Sequence, residues 1–467
     1  MSNIDELKAT DTRLIKAGKK ALVRTYGCQA NFRDSEHLKG ILTSLGYTLC
    51  EDLKEADLIL LNTCAIRENA SQRVFGEIGL LKSYKKQKPD LILGLCGCMA
   101  QQKETIAYIK ESYPYLDLVF GTHNLYRLPA LLAAVEKQRQ TVIEVLPKSD
   151  GLHENLPEVR DLPHKAWVNI MVGCDKFCTY CVVPYTRGRQ QSRPMAEVLL
   201  EVENLVKQGY KEITLLGQNV NAYGKDLGLE SGFYQLLEAC SNTGIKRLRF
   251  TTSHPWDFEK KLGDLIAFKE NLMPFIHLPV QAGNDEVLKR MGRRYSRESY
   301  LKLFDYLRST IPGVAISTDI IVGFPGESRE QFEDTLSLYE YCKFDHAFTF
   351  VYSPRANTPA TKFEDPVAEI DKKAWLAELN LLVKKYSLAR NQSMVDKEYE
   401  VLVDGPSKKN PEVYSGYTKD NRLVNFNGAD LKTGDLVMVK IQQARSFSLN
   451  GTKSQNQPIE KDKAGAL

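Results

Sequence analysis

The chain has 467 residues, of which 43% are hydrophobic and 26% charged, and its 63 Lys and Arg against 59 Asp and Glu give a net charge of +4. This composition is ordinary for a globular protein and excludes collagen-like, wholly disordered and small disulfide-framework proteins. The near balance of charge excludes a protein coated in basic residues, so any nucleic-acid contact must come from local patches. At roughly 150 residues per domain, the length predicts about three domains.

The sequence contains no apolar run of the ~18–20 residues that cross a bilayer, and its first twenty residues lack the apolar core of a signal peptide. We therefore expect a cytoplasmic protein without a membrane partner. In that compartment the ten cysteines stay reduced, which favours metal ligation over disulfide bonds for any cysteine cluster.

Residues 20–137 alternate short apolar runs with segments of helical periodicity. The apolar runs lie at 21–28, 56–64, 91–98 and 116–121. Near-continuous apolar strands separated by helices predict an α/β domain, an open parallel sheet with helices on both faces. Residues 138–160 are polar and interrupted by glycine and proline, which indicates a linker.

The alternation resumes over residues 161–392, which contain six strand candidates. These candidates lie at 167–173, 212–219, 247–253, 275–282, 315–323 and 346–353. Six βα units are fewer than the eight of a closed barrel, so the pattern alone permits a partial barrel or an open parallel sheet. The short alternating strands of residues 393–457 predict a small antiparallel β-barrel.

Three cysteines follow the first strand of the central domain with the spacing C-x3-C-x2-C: Cys174, Cys178 and Cys181. Three thiolates on one loop can hold three irons of a cubane cluster and leave the fourth iron without a protein ligand. An open iron can bind and activate a small molecule, as catalytic metal sites do when they keep a free position. A structural zinc site would need a fourth ligand, and no paired motif nearby offers one. The spacing therefore favours a cluster with an open iron.

A second group of cysteines lies at strand ends in the first domain: Cys28, Cys64 and Cys98. Ligands of open parallel sheets sit beyond the carboxyl ends of the strands, so these three thiols can converge although they are far apart in sequence. Cys96 shares a strand face with Cys98, and spacing alone does not decide between the two. The pattern leaves open a second cluster or a set of buried, inert cysteines.

The C-x3-C-x2-C loop, with Tyr180 before its last cysteine, resembles that of the radical S-adenosylmethionine enzymes. The resemblance implies a partial (βα)6 barrel and a [4Fe–4S] cluster whose open iron is chelated by S-adenosylmethionine, which is cleaved reductively to a 5′-deoxyadenosyl radical. Cofactor contacts are expected at the carboxyl ends of the barrel strands. In this sequence that favours Gln218, Asn219, Ser253, Gln281 and Asp319. The alternative for each is a polar side chain paired inside the barrel.

Further motifs resemble the methylthiotransferase branch of these enzymes. In that branch the cysteines of TYGCQAN (25–31), LNTCAIRENA (61–70) and GCMAQ (97–101) hold an auxiliary [4Fe–4S] cluster, which selects Cys98 over Cys96. The tail resembles a TRAM domain, a small RNA-binding barrel. The motifs that resemble the MiaB type are VVPYTRGRQQSRP (182–194), HLPVQAGNDEVLKRMGRRY (277–295), TDIIVGFPGE (318–327) and YSPRANTPA (352–360).

This resemblance implies an enzyme that inserts a methylthio group at carbon 2 of N-6-dimethylallyl adenosine, in the anticodon stem-loop of tRNA. Removing the unactivated hydrogen of carbon 2 is beyond ordinary acid–base catalysis, whereas a carbon-centred radical can take it. By resemblance, one S-adenosylmethionine donates a methyl group to sulfur held by the auxiliary cluster, and a second yields the radical. The implied partners are the tRNA, an external one-electron donor and a sulfur-supply or cluster-assembly protein.

Local basic patches give separate support for an RNA partner. Three arginines lie within residues 187–193 with no acid among them, and residues 289–302 hold six Lys or Arg against one Glu. Cationic grooves beside aromatic rings hold RNA loops, although a solvated helix face is the alternative for the second run. The predicted RNA contacts are Arg187, Arg189, Arg193, Arg293, Arg294 and Arg445. Tyr414, Phe426 and Phe447 of the C-terminal barrel are predicted to be exposed for stacking.

Two other functions remain open on the sequence. One is a related radical enzyme that methylthiolates threonylcarbamoyl adenosine in tRNA or a ribosomal-protein side chain. The other belongs to a different class, a non-catalytic RNA-binding protein stabilised by metal. Iron and sulfide content distinguishes the enzymes from the binding protein, because the latter would hold stoichiometric zinc.

Overall fold

The computed structural model describes residues 18–65, 68–138, 140–149, 151–407, 410–428 and 430–454. Three units follow one another along this part of the chain: a parallel αβ sheet, a partial barrel of parallel strands and a closed β-barrel. Within the same residues, no helix is both long and apolar enough to cross a membrane.

The amino-terminal unit is a sheet of six parallel strands. The strands are β1 Lys20–Tyr26, β2 Thr48–Leu49, β3 Leu58–Thr63, β4 Ile92–Gly97, β5 Leu118–Phe120 and β6 Val142–Glu144, in the order β2-β1-β3-β4-β5-β6. The helices are α1 Gln29–Ser44, α2 Glu68–Gln87, α3 Lys103–Ser112 and α4 Leu128–Gln138. Every residue of β3 and β4 is buried, and apolar cores lie on both faces of the sheet. The predicted open parallel sheet is confirmed.

The sheet extends beyond the four strands that the sequence predicts. Strand β2 has two residues, and β6 lies within the segment predicted to be a linker. Strand β6 pairs in parallel with β5, and none of its three residues is fully buried. An apolar run signals a strand buried on both faces, so a short edge strand of this kind gives no clear pattern.

The central unit has the six predicted parallel strands. They are β7 Lys165–Asn169, β10 Glu212–Leu216, β11 Arg247–Phe250, β12 Phe275–His277, β13 Ala315–Val322 and β14 His346–Val351, and the short pair β8 Met171–Val172 and β9 Gln191–Ser192 follows β7. Two three-stranded parallel sheets, β11-β10-β7 and β12-β13-β14, are joined by a parallel bridge between Leu248 and Leu272. This arrangement is the partial barrel that the resemblance implies.

Eight helices accompany these strands among the described residues. They are α5 Val183–Thr186, α6 Met195–Lys207, α7 Gly232–Ser241, α8 Lys260–Phe268, α9 Asp285–Arg290, α10 Arg297–Thr310, α11 Arg329–Cys342 and α12 Glu369–Gln392. The buried apolar side chains of the longer helices and of the strands form one large core. Core packing therefore lies outside the barrel wall, and the inner face of the wall is left for polar and aromatic side chains.

The carboxyl-terminal unit is a closed barrel of five strands: β15 Glu398–Pro406, β16 Val413–Thr418, β17 Leu423–Asn427, β18 Leu436–Ala444 and β19 Leu449–Lys453. The order β15-β16-β17-β19-β18 confirms a small barrel, but β17 and β19 pair in parallel. The sequence predicts four of these strands and misses β19, whose LNGTK lacks apolar alternation. Phe426 is 1% exposed in the core of this barrel, contrary to the prediction, whereas Arg445 and Phe447 are exposed.

The carboxyl-terminal barrel packs against the amino-terminal ends of the central strands. Arg247, the first residue of β11, is fully buried and its Nη2 lies 2.8 Å from Oε1 of Glu400. Asp345, just before β14, forms an ion pair with Arg422. These contacts cover the end of the central barrel that is opposite the carboxyl ends of its strands, where barrel enzymes build their sites.

Helix α1 of the amino-terminal unit packs against β7 at the edge of the central barrel. The rings of Phe32 and Trp167 lie 5.8 Å apart. Arg33 is 1% exposed and its Nη2 lies 3.2 Å from Oε1 of Glu201, while Nη1 of Arg193 lies 2.6 Å from Oε2 of the same carboxylate. Arg160 contacts the same half-buried carboxylate, with Nη2 2.7 Å from Oε1, so three arginines around Glu201 join the two units.

Candidate functional site

The first cysteine group lies on the loop that follows β8, beyond the carboxyl end of β7. Gly173 begins this loop with a φ of 79°, and a Cβ at this position would lie 2.1 Å from the carbonyl oxygen of Arg189. Only glycine fits such a conformation and approach. The N–H of Thr179 donates to the carbonyl of Met291 at 3.0 Å, and the N–H of Ala360 donates to the carbonyl of Thr179 at 2.9 Å. Backbone hydrogen bonds therefore fix the loop.

The thiols of this loop are buried or half-buried beside one arginine. Burial raises the pKa of Cys174 to about 11 and that of Cys181 to about 12. Arg293 is 6% exposed, and its Nη1 lies 3.7 Å from Sγ of Cys178. Buried thiols lose their protons when they coordinate metal, because the ion supplies the positive charge that burial withholds. The donor set fits a cluster held by Cys174, Cys178 and Cys181.

Three of the five residues predicted to contact the cofactor have a buried polar atom without a hydrogen-bond partner in the part of the chain that the structure describes. These atoms are Oδ1 of Asn219, Oγ of Ser253 and Oε1 of Gln281. Buried polar groups are almost always hydrogen-bonded, so three unpaired atoms at the carboxyl ends of three strands indicate a polar ligand. This observation fits S-adenosylmethionine, which carries amino, carboxyl and hydroxyl groups.

The other two residues of that prediction have protein partners. Gln218 accepts a hydrogen bond from the N–H of Gly173, so it holds the start of the cysteine loop. Asp319 lies within β13 rather than beyond it, with Oδ2 3.3 Å from Nε2 of His277. Nδ1 of His277 is in turn 2.9 Å from Oγ of Ser317. Both side chains are therefore paired within the protein, which is the alternative to a cofactor contact that the sequence left open.

The second cysteine group comes together at the carboxyl edge of the amino-terminal sheet. A hydrogen bond with Cys64 and the charge of Arg187 lower the pKa of Cys28 to about 5. Asn31 lies between the thiols, with Oδ1 3.4 Å from Sγ of Cys28 and Nδ2 3.9 Å from Sγ of Cys98. The order of the strands reverses between β1 and β3, and ligands of open sheets bind at such a reversal.

Cys98, rather than Cys96, faces this group. Cys96 is 1% exposed and packs in the apolar core, and burial raises the pKa of its thiol well above the usual value. Sγ of Cys98 accepts a hydrogen bond from Nε of Arg187 at 3.3 Å. These contacts agree with the resemblance, which implies Cys98 and not Cys96 as the cluster ligand.

A mononuclear metal site is not evident among the described residues. Across the described ranges, no three Cys, His, Asp or Glu side chains are placed to hold a single ion. The ligands of a cubane bind separate irons and so lie further apart than the ligands of one ion. Iron, sulfide and zinc content distinguishes a cluster from a zinc site at either group.

The two cysteine groups border one interface between the amino-terminal unit and the central barrel. Val182, the residue after Cys181, packs with Cys98 and Ala65 in one apolar cluster. Arg187 reaches Cys98 from the segment after α5. Side chains next to the first group therefore contact the second.

Three of the six arginines predicted to contact RNA are buried: Arg187, Arg193 and Arg293. Their guanidinium groups bind a thiol, carboxylates and carbonyl oxygens of the protein, so they are not placed to contact phosphates. Arg189, Arg294 and Arg445 are exposed, and for them RNA contact stays a prediction. The clustering of basic residues in the sequence does not distinguish the buried arginines from the exposed ones.

Sequence reasoning also missed a group of exposed aromatic rings beside the cysteine loop. Trp256 is 43% exposed, with Nζ of Lys176 4.0 Å and the guanidinium of Arg294 5.2 Å from the centre of its ring. The guanidinium of Arg189 lies 5.0 Å from the ring centre of Phe177, which is also exposed. We call Lys176, Phe177, Arg189, Trp256 and Arg294 the aromatic rim.

The chain matches three family models, each over one of the units described above. Residues 20–121 match the uncharacterized protein family UPF0004, residues 168–339 the radical SAM superfamily, and residues 392–453 the TRAM domain. Among solved structures, the radical S-adenosylmethionine methyltransferase TsrM from Kitasatospora setae has a TM-score of 0.51 and 16% identity, covering 73% of this chain and 75% of that one. This likeness concerns the fold alone.

Curated relatives match nearly the whole chain. A tRNA-2-methylthio-N(6)-dimethylallyladenosine synthase of Halalkalibacterium halodurans is 51% identical over 448 residues, which are 96% of this chain and 83% of that protein. A protein of the same name from Staphylococcus haemolyticus is 52% identical over 93% of this chain and 85% of its own length. This chain therefore belongs to the tRNA-2-methylthio-N(6)-dimethylallyladenosine synthase family.

Proposed function

We propose that this protein inserts a methylthio group at carbon 2 of N-6-dimethylallyl adenosine next to the tRNA anticodon, by radical C–H activation. Family membership over nearly the full chain supports the reaction. The observation that carries it is the single interface bordered by both cysteine groups, through Val182 and Arg187. Such an interface allows hydrogen abstraction and sulfur delivery at the same base.

The radical SAM family brings one [4Fe–4S] cluster and S-adenosylmethionine to the central barrel. We assign the first cluster to Cys174, Cys178 and Cys181, and a second [4Fe–4S] cluster to Cys28, Cys64 and Cys98. When bound, these cofactors supply a carbon-centred radical and a reactive sulfur. The protein's part is to hold the thiols in place and to keep the two sites on one interface.

The unpaired polar atoms at the mouth of the barrel are the proposed contacts for S-adenosylmethionine. Asn219 donates from Nδ2 to Oδ2 of Asp257 at 2.6 Å, which fixes its side chain and leaves Oδ1 free to accept a hydrogen bond. Gln281 has a φ of 74°, so a strained backbone holds its amide at this place. Gln218 positions the cysteine loop instead of contacting the cofactor, and Arg293 positions it instead of contacting RNA.

The tRNA partner follows from the family and from the TRAM domain. An external electron donor and a sulfur-supply or cluster-assembly protein complete the proposed set of partners, since the reaction consumes an electron and a sulfur atom. A tRNA substrate supports the proposed location in the cytoplasm.

The aromatic rim is the proposed contact for the anticodon loop, because rings flanked by cations hold unpaired bases and phosphates. Replacing Trp256 with alanine should weaken binding of an anticodon stem-loop by roughly tenfold, the effect of one lost base stack. The double variant Arg189→Ala/Arg294→Ala should also lower the salt dependence of binding. The slope of the logarithm of the binding constant against the logarithm of the salt concentration should fall by about one unit per lost phosphate contact.

Fluorescence anisotropy at several salt concentrations measures both effects. Lys384, exposed on the outer helix α12, provides the control variant Lys384→Ala, which should bind as the wild type does. Unchanged affinity and salt slope in the rim variants would place the RNA elsewhere on the protein.

Nucleoside analysis of tRNA from cells that lack the gene tests the function itself. The 2-methylthio derivative of dimethylallyl adenosine should disappear and the unmethylthiolated precursor should accumulate, with recovery when the gene is restored. Unaltered tRNA nucleosides would contradict the assignment. Loss of methylthio threonylcarbamoyl adenosine, or of a ribosomal-protein modification, would instead favour the related enzymes.

A further inference from the structure

Strand β14 exposes two phenyl rings on the inner face of the central barrel. Phe348 is 44% exposed and Phe350 is 43% exposed, although both belong to a barrel strand. Side chains alternate between the two faces of a strand. Ala347 is buried in the core and Thr349 donates to Asn380 of the outer helix α12 at 2.7 Å, so these two face outward. The two phenyl rings therefore face inward.

The neighbouring strand β13 has a partly exposed face level with these rings. Phe348 is in register with Asp319 and Phe350 with Ile321, and both of these β13 side chains are only partly buried. Ile320, on the opposite face of β13, is fully buried in the core. The ring of His277 lies 6.1 Å from that of Phe348. The inner face of this wall is therefore only partly covered by the protein, whereas its outer face is buried in the core.

This wall lies beside the proposed cofactor site. Ile321, level with Phe350, packs against the same apolar cluster as Tyr180 of the cysteine loop. Gln281, with its unpaired Oε1, forms a parallel bridge with Ile320, which precedes Ile321 in β13. An apolar group that contacts the two phenyl rings would thus lie only one or two strand positions from the side chains proposed to contact the cofactor.

We propose that Phe348 and Phe350 form the subsite for the dimethylallyl group of the target adenosine. The inference rests on the proposed function and names the residues that recognise its substrate. A branched five-carbon alkene has no hydrogen-bonding group, and its burial against two aromatic rings removes apolar surface of both from water. A threonylcarbamoyl group would bring a carboxylate towards Asp319, which places like charges together. The wall therefore selects the apolar substituent.

Two synthetic anticodon stem-loops that differ only in the dimethylallyl group test this subsite. Their dissociation constants are measured with the cluster-loaded protein and S-adenosylmethionine, without reductant, so that binding is observed and not turnover. We expect the wild type to prefer the dimethylallyl RNA by roughly tenfold or more, the usual discrimination of an apolar pocket. Phe348→Ala/Phe350→Ala should reduce this preference to about one and leave the affinity for the unmodified RNA unchanged.

Two further variants make the outcome decisive. Phe348→Leu/Phe350→Leu keeps an apolar wall and should retain most of the preference even if the alanine variant does not fold. Phe268→Ala removes a ring that is 80% exposed at the end of α8 and should behave as the wild type. A preference retained in the alanine variant, or an equal loss of affinity for both RNAs, overturns the subsite. No preference in the wild type would count against the proposed function itself.

Discussion

Replacing Cys178 with alanine should abolish formation of 5′-deoxyadenosine, whereas Cys64→Ala should still form it and lose only methylthio insertion. Cys178 lies on the central-barrel loop with the open-iron spacing, and Cys64 lies at the edge of the amino-terminal sheet. Each variant removes one ligand of three, and it does so on a different side of the interface. The two losses should be complete, and chromatography of the nucleoside products measures both in one reaction.

The remaining cysteines provide matched controls for this experiment. Cys96 is two residues from Cys98 and buried, and Cys342 is buried at the end of α11. Cys96→Ala and Cys342→Ala should retain both activities. Loss of methylthio insertion in Cys96→Ala would mean that Cys96 is the ligand. Loss of both activities in Cys64→Ala would point to a structural defect.

Replacing Arg187 with alanine should have the second largest effect, because this residue joins the two halves of the site. Its Nε donates to Cys98 and its Nη2 lies 2.5 Å from Oδ2 of Asp34 in α1. Without Arg187 the Asp34 carboxylate stays largely buried and unpaired, which costs about 3–5 kcal/mol. We expect a lower thermal stability, an altered electron paramagnetic resonance spectrum of the auxiliary cluster and loss of methylthio insertion, with 5′-deoxyadenosine still formed.

Two variants separate a positioning role from a general loss of stability. Arg187→Lys restores a charge for Asp34 but cannot reproduce the planar fork that also reaches the thiol. It should therefore recover stability more than it recovers the cluster spectrum. Arg189→Ala, two residues away and exposed, should leave thermal stability unchanged. A cluster spectrum identical to that of the wild type in Arg187→Ala would contradict the positioning role.

The regular parts of the fold follow from local patterns in the sequence. The strands of the central barrel are predicted because each is an apolar run between helical segments. Strand β6 is missed because it is short and only half-buried, and β19 because polar residues and a glycine interrupt it, so only their pairing partners define them. A hydrophobic pattern with a period of two or 3.6 residues indicates local structure and does not indicate which distant strands pair.

The site was predictable where chemistry depends on residue type and spacing, and less so where it depends on contacts. Cys96 and Cys98 are equivalent by period, and the contacts with Asn31 and Arg187 distinguish them only in three dimensions. Arg187 has no acid nearby in sequence, and its partner in the structure, Asp34, lies 153 positions earlier. The basic residues at 187–193 therefore predict an RNA contact, although Arg187 and Arg193 are buried.

Two separate cysteine groups should each hold one [4Fe–4S] cluster. Iron and sulfide analysis of the reconstituted protein tests this expectation by comparing the wild type with the triple variants Cys28→Ala/Cys64→Ala/Cys98→Ala and Cys174→Ala/Cys178→Ala/Cys181→Ala. Two four-iron clusters predict about eight irons and eight sulfides per chain in the wild type and about four of each in either triple variant. About four irons in the wild type, or stoichiometric zinc, would contradict the account.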